Sequence, residues 1–182
     1  MNKYDIIVVG GGLAGAAMLY NLSLAGFHVL LLERHNIACG ATGRNGGQVI
    51  QLDGRDKDAT SIMNRLQYTR KTVSLLQEYK SLLKMDFDFR QVGSLDIAVT
   101  DEECEELKAL CETQINAGDD EVEYLDKKGL HEIAPYLGAD LQGARYRWSD
   151  GNLYPFYLAH GLIEKAVENN AEVLTWCEVE QV

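Results

Sequence analysis

The sequence predicts an α/β fold: a Rossmann-type parallel sheet whose chain path is interrupted by an inserted α+β region. Three observations carry this prediction. An apolar, β-branched run, Tyr4 to Val9, leads directly into Gly10, Gly11, Gly12 and Gly15. A second apolar run, His28 to Leu32, ends on the acidic residue Glu33. More than a hundred residues then pass before a helix and strand of the same kind follow at Phe156.

The first run is nearly continuous in its hydrophobicity and reads as a strand buried on both faces. The glycines after it fit G-x-G-x-x-G through Gly10, Gly12 and Gly15. Leu13 to Ala25 is helix-compatible and stops at Gly26, a natural residue to follow a helix end. Gly10 allows the turn out of the strand, Gly12 lets a pyrophosphate approach the backbone, and Gly15 lets helix and strand pack closely. The first helical turn, with Leu13 and Ala14, offers free N–H groups and a partial positive charge to phosphates. Glu33, at the end of the second strand, accepts ribose hydroxyls and repels a 2′-phosphate. Strand, glycines, helix, strand and acid in this order form the context that a dinucleotide site requires.

Arg34 to Ile50 lacks the period of a helix or strand and carries Gly40, Gly43, Gly46 and Gly47. Successive backbone N–H groups in such a stretch can fold into a concave anion site. Arg44 adds a full charge, and Thr42, Asn45 and Gln48 add hydrogen-bonding side chains. Its place at the ligand-binding edge of a parallel sheet favours contact with a cofactor over a mere surface connection.

Asp56 to Lys84 is expected to be one long helix with Ile62, Leu66, Val73, Leu76 and Leu83 on its apolar face. Phe87–Phe89 and Ser94–Val99 read as strands. A helix follows Thr100, with acidic residues in its first turn where the dipole favours them. A short strand ends the DDEVEYL run, a short helix begins at Asp126 and stops at Pro135, and Leu141–Trp148 reads as an alternating strand. Asp150–Gly151–Asn152 is expected to be a turn. Pro155 opens a helix through Glu168, where its missing N–H does no harm. Ala159, Leu162, Ile163 and Ala166 form the buried stripe of that helix, and Glu172–Trp176 is a further parallel strand.

The bulk properties exclude several function classes. A net charge of −11 opposes nucleic acid and anionic membranes, which carry the same sign. No apolar stretch approaches the length of a membrane span, and the N-terminal glycines occupy the place of a signal peptide's cleavage region. The four cysteines, Cys39, Cys104, Cys111 and Cys177, show neither a C-x-x-C pair nor metal-ligand spacing. Cys104, Leu107, Cys111 and Ile115 recur at helical intervals, which makes two of the cysteines core residues. No metal site is expected, and a reducing cytoplasm fits.

A simple nicotinamide domain would follow its second strand promptly with another helix and a third parallel strand. The long insertion favours FAD over NAD as the dinucleotide. It divides the chain into a first cofactor-binding part over 1–52, an inserted substrate-side region over 53–149, and a continued, incomplete cofactor-binding part over 150–182. No strand is foreseen for the far side of Tyr4–Val9, so the chain reads as the N-terminal part of a longer protein, truncated at the C-terminus. An exposed sheet edge of this kind favours self-association.

The motif through Glu33, the loop Gly40–Gln48 (GATGRNGGQ) and the GNLYP before the late helix resemble the D-amino acid oxidase superfamily of FAD-dependent oxidoreductases. The similarity is greatest to the gamma-glutamylputrescine oxidoreductase type. The resemblance covers nearly the whole chain and is specific in the first fifty residues. It implies a glutathione-reductase-like parallel sheet and FAD as cofactor. It also implies a small-molecule amine or amino-acid substrate, oxidised by hydride transfer to the flavin with hydrolysis of the imine.

Carried over by position, Gly10, Gly12 and Gly15 face the pyrophosphate, Glu33 binds the adenosine ribose and Arg34 lies beside the adenine. Thr42, Arg44, Asn45, Gly46, Gly47 and Gln48 lie along the pyrophosphate, ribityl chain and flavin. Val179 matches a position whose backbone meets the adenine. Some relatives attach the flavin through a histidine in this loop. Here the loop has Arg44 and no histidine, so the segment implies non-covalent FAD. The resemblance assigns no catalytic residue, because the family's substrate-binding residues lie in the other half of its fold. Two alternatives stand beside the amine oxidoreductase: a catalytically incomplete FAD-binding fragment, and an NAD-dependent dehydrogenase.

Overall fold

The structure, a computed structural model, describes residues 3–52 and 58–181. Its elements in chain order are β1 (Ile6–Val9), α1 (Leu13–Leu24), β2 (Val29–Leu32), a 3-10 turn (Ala41–Arg44), β3 (Gln48–Val49), α2 (Ala59–Leu82), β4 (Ser94–Ala98), α3 (Asp101–Asn116), β5 (Val122–Asp126), α4 (Lys127–Ile133), β6 (Gly143–Arg147), β7 (Gly151–Asn152), α5 (Pro155–Glu168) and β8 (Glu172–Leu174). They form two compact units. One contains Met1–Gly47, Gln77–Phe89 and Leu153–Val182, and the other contains Gln48–Leu76 and Arg90–Asn152.

The first unit is built on a parallel sheet of order β1-β2-β8, with Ile6 opposite Val29 and Leu30 opposite Glu172. Helix α1 packs against β1, β2 and α5. Small residues permit the two helices to lie close: Ala16, Ala159 and Ala166 are buried, while Gly161 makes room for Leu83 and Met85. Val8, Val29 and Leu31 are buried in the sheet. Strand β2 is buried along most of its length, as its continuous apolar run requires. Strand β1 differs from expectation, because Ile7 and Val9 are 55% and 59% exposed. As an edge strand, β1 is covered on one face only among the described residues.

The strand expected at Phe87–Phe89 is absent. Asp88 takes a left-handed φ of +50, which breaks an extended run, while Phe87 and Phe89 bury their rings 6.5 Å apart. Helix α5 begins on Pro155 as expected and buries Leu158, Ala159, Leu162, Ile163 and Ala166.

The second unit contains an antiparallel sheet of order β4-β6-β5, with α3 and α4 packed on it, and the two-stranded pair β3-β7. Thr100 caps α3 in a reciprocal capping box with Glu103. Asp126 caps α4 by accepting the Gly129 N–H at 2.8 Å. On α3, Cys104 and Cys111 are buried as the helical spacing predicted, whereas Ile115 is exposed.

Gly151 and Asn152, read as part of a turn, instead pair antiparallel with Val49 and Gln48. A Cβ on Gly151 would collide with the Arg90 carbonyl, so this glycine marks a close approach of two backbones. The alternation expected in β6 is also absent. As the central strand it buries both faces, Arg145 and Arg147 included. Arg147 pairs with the fully buried Asp119, and Arg145 Nε meets Asp96 at 2.7 Å and Nη1 meets Gln114 at 3.1 Å. Buried charges of this kind persist only with such partners. The start of the helix expected at Asp56 lies outside the described residues; the described helix runs Ala59–Leu82.

Candidate functional site

The site is assembled at the carboxyl ends of β1 and β2. Gly10 leaves β1 with φ of +103, and its N–H donates to the Leu32 carbonyl at 2.8 Å. Such a φ is open to glycine and strained for other residues. Gly12 is the N-cap of α1. A Cβ on Gly15 would strike the Gly10 carbonyl oxygen, so the close packing of helix on strand expected of this position is realised.

No acidic residue occupies the first turn of α1. Among the described residues no hydrogen bond engages the N–H groups of Gly12, Ala14 or Gly15. The Leu13 N–H donates to the Thr42 hydroxyl at 3.0 Å. The helix thus presents unengaged donors and the positive end of its dipole, which suits a phosphate.

Glu33 is held by two backbone donors. Its Oε2 accepts from Gly11 N–H and its Oε1 from His35 N–H, both at 2.7 Å. Partial burial opposes the charge, but the amides of Gly11 and His35 outweigh it and keep the carboxyl below the usual range. A carboxylate has about four lone-pair sites, so two remain for outside donors such as ribose hydroxyls. The approach depends on Gly11, because a Cβ there would lie 2.6 Å from Ile37 Cδ1 and 3.1 Å from Glu33 Cβ.

The loop after β2 folds over this corner. Ala38 adopts φ of +57, and its N–H donates to the Gly11 carbonyl at 2.9 Å. Asn45 uses its side chain to close the loop on itself, donating to the Ala41 and Thr42 carbonyls and accepting from the Gly47 N–H at 2.8 Å. Gly47 has φ of +70, and a Cβ there would collide with the Leu153 carbonyl. Gly46 is exposed, and a Cβ there would meet nothing within 4 Å. Arg44 is exposed at the end of the 3-10 turn. Thr42, Asn45, Gly46, Tyr154, Phe156 and Tyr157 are among the residues around an open groove of about 390 Å³.

Arg34 is exposed beside Glu33. Val179 is half-buried in the segment after β8, which is tied to Glu33 through the Cys177 N–H and the Glu33 carbonyl at 3.0 Å. The structure therefore gathers Gly10, Gly12, Leu13, Ala14, Gly15, Glu33 and Thr42 into one hydrogen-bonded corner, with Asn45, Gly46 and Gly47 on its loop. Gln48 begins β3 in the second unit. Sequence reasoning passed over Gly11, Ala38 and the three aromatic residues at the start of α5. Gly11 was visible as the middle of three consecutive glycines. Nothing in the local sequence marks Ala38 as left-handed.

A parallel sheet with this glycine-rich turn, and a second unit threaded through it, has the fold of FAD-binding oxidoreductases. The chain belongs to the DAO family of FAD-dependent oxidoreductases, whose family model matches residues 5–182. It is 31% identical over 188 residues to gamma-glutamylputrescine oxidoreductase of Escherichia coli K12, covering 98% of this chain and 43% of that protein. It is 27% identical over 176 residues to glycerol 3-phosphate dehydrogenase of Caloramator mitchellensis, covering 97% of this chain and 36% of that protein. The crystal structure of glycine oxidase from Geobacillus kaustophilus superposes with a TM-score of 0.87 at 26% identity, covering 98% of this chain and 48% of that one. The chain thus spans less than half the length of these relatives. FAD is the cofactor of the family.

Proposed function

We propose that this protein binds FAD without a covalent link and uses it to oxidise the C–N bond of a small amine or amino acid. The observation that carries the FAD site is the α1 N-terminus. Its unengaged amides, its Thr42 brace and the pinned Glu33 carboxylate fit a phosphate pair followed by a ribose diol. In this reading Gly10, Gly12, Leu13, Ala14 and Gly15 receive the pyrophosphate, and Glu33 receives the ribose. Arg34 and Val179 flank the adenine, and Thr42, Arg44, Asn45, Gly46, Gly47 and Gln48 follow the rest of the cofactor. FAD supplies the two-electron acceptor, and the chain's own residues bind and orient it.

Support for an amine or amino-acid substrate comes from the likeness to gamma-glutamylputrescine oxidoreductase and glycine oxidase. A second reading, oxidation of glycerol 3-phosphate, has its own support in the comparable likeness to the glycerol 3-phosphate dehydrogenase. Residues 1–52 and 150–182 form the cofactor side in this proposal and 53–149 the substrate side, supported by the placement of β1, β2 and β8 outside the middle segment. The exposed Ile7 and Val9 of the β1 edge support self-association there, which a monomer on a sizing column would refute. No helix among the described residues is long and apolar enough to cross a membrane, in keeping with the cytoplasmic location that belongs to this proposal.

The deciding experiment is anaerobic. FAD-loaded protein is mixed with a panel of primary amines, glycine, other amino acids and glycerol 3-phosphate, and flavin bleaching is followed. Reduction by an amine or amino acid is expected. Reduction by glycerol 3-phosphate alone selects the second reading, and failure to take up FAD removes both.

A further inference from the structure

Trp176 follows β8 at the carboxyl end of the parallel strands, is 70% exposed and has φ of +58. A bulky side chain in the left-handed region is uncommon and persists only where its surroundings fix it. The surroundings here are the chain around Glu33. Trp176 N–H donates to the His35 carbonyl at 3.3 Å, Cys177 N–H to the Glu33 carbonyl at 3.0 Å, and Glu33 N–H to the Leu174 carbonyl at 2.9 Å. The His35 imidazole meets the indole edge to face, with ring centroids 5.9 Å apart and planes at 75°. The N–H of the same His35 holds Oε1 of Glu33. The segments that carry indole, imidazole and carboxylate are therefore tied to one another through the backbone.

Indole is a large apolar ring, and leaving most of it in water forgoes burial that a core position would supply. A ring held that way on the segment bonded to the Glu33 backbone, with free lone pairs on the Glu33 carboxylate, is suited to a ligand that is flat at one end and carries hydroxyls next to it. We propose that Trp176, backed by His35, is the stacking platform for the adenine of FAD, and that it makes the protein select the adenine dinucleotide over FMN. This inference rests on the FAD reading above. Stacking on an aromatic side chain needs only a π-face from the base and adds affinity without charge.

Trp148 is the other tryptophan of the chain. In W148F, Trp176 is the sole indole emitter, and ADP is expected to quench its fluorescence saturably. Adding W176L to that background should raise the dissociation constants of both ADP and FAD by about tenfold, measured by calorimetry, and leave that of FMN unchanged. The quenching measurement requires no change at Trp176, so it decides even where W176L does not fold. ADP that binds W148F without altering its emission overturns the proposal and leaves the FAD reading intact. So does a W176L protein that binds ADP and FAD within about twofold of its parent. Wild-type protein that binds neither FAD nor ADP overturns both.

Discussion

The Thr42 hydroxyl accepts the Leu13 N–H at 3.0 Å and so ties the glycine-rich loop to the first turn of α1. The contact is close enough that a Cβ on Gly12 would lie 3.2 Å from the same oxygen. Removing the hydroxyl frees the loop and leaves the amide without its partner. Thr42→Val is expected to weaken FAD binding by about 0.5–1.5 kcal/mol, the net value of one such bond. Thr42→Ser, which keeps the acceptor, should restore most of it. A flavin-fluorescence titration in which Val and Ser behave alike would remove the brace from the site.

Glu33 carries a double task, because the carboxylate that would hold the ribose also caps the Gly11 and His35 amides. Glu33→Ala should weaken FAD affinity by about 1–3 kcal/mol and lower the melting temperature even without cofactor. Equal FAD affinity in the variant and the parent would refute the ribose assignment, whatever the melting curve does.

Two glycines separate fold from site. Gly15 faces the Gly10 carbonyl, so Gly15→Ala should destabilise the protein by about 1–3 kcal/mol through overpacking. Gly46 has open space where its Cβ would go. Gly46→Val is expected to melt close to the parent yet lose bound flavin, because the bulk enters the space the cofactor would use. Flavin retained at full stoichiometry in Gly46→Val would make the loop a surface connection.

Much of this corner was legible because each part depends on local chemistry. Gly10, Gly12 and Gly15 are demanded by backbone geometry within a few residues, and the capping signals at Thr100 and Asp126 act over three. Less legible were features that depend on what the chain meets elsewhere. Asn45 reads from the sequence only as a residue along the cofactor, and its part in closing its own loop through Ala41, Thr42 and Gly47 depends on the folded turn. Leu141–Trp148 reads as an alternating strand, yet Arg145 and Arg147 are buried, because Asp96, Gln114 and Asp119 come to them from distant positions. Gly151 suggests a turn, and it is the distant Val49 that pairs with it as a strand residue while Arg90 closes on its other side.

The opposite end of the same sheet is sensitive to pH. His28 Nδ1 lies 3.0 Å from the Lys3 carbonyl and Nε2 lies 3.2 Å from Glu172 Oε1, while Tyr4 donates to the other oxygen of Glu172 at 2.9 Å. Both partners of the ring are acceptors, and a neutral imidazole has one N–H to give. Only the imidazolium satisfies both. The Lys3 carbonyl first, then the Glu172 carboxylate, raises the His28 pKa above its ordinary 6.5, with a smaller push from Asp5. A raised folded-state pKa contributes stability that is complete below the unfolded value and is lost as pH rises through the folded one. The melting temperature of the parent should therefore fall from pH 6.5 upward more steeply than that of His28→Gln, and less so in high salt, which screens this half-exposed pair. The check is the His28 Cε1–H titration by NMR together with melting from pH 5.5 to 8.5. A His28 midpoint at or below 6.5, or parallel melting profiles for parent and His28→Gln, would show that the clasp across β1, β2 and β8 holds no proton.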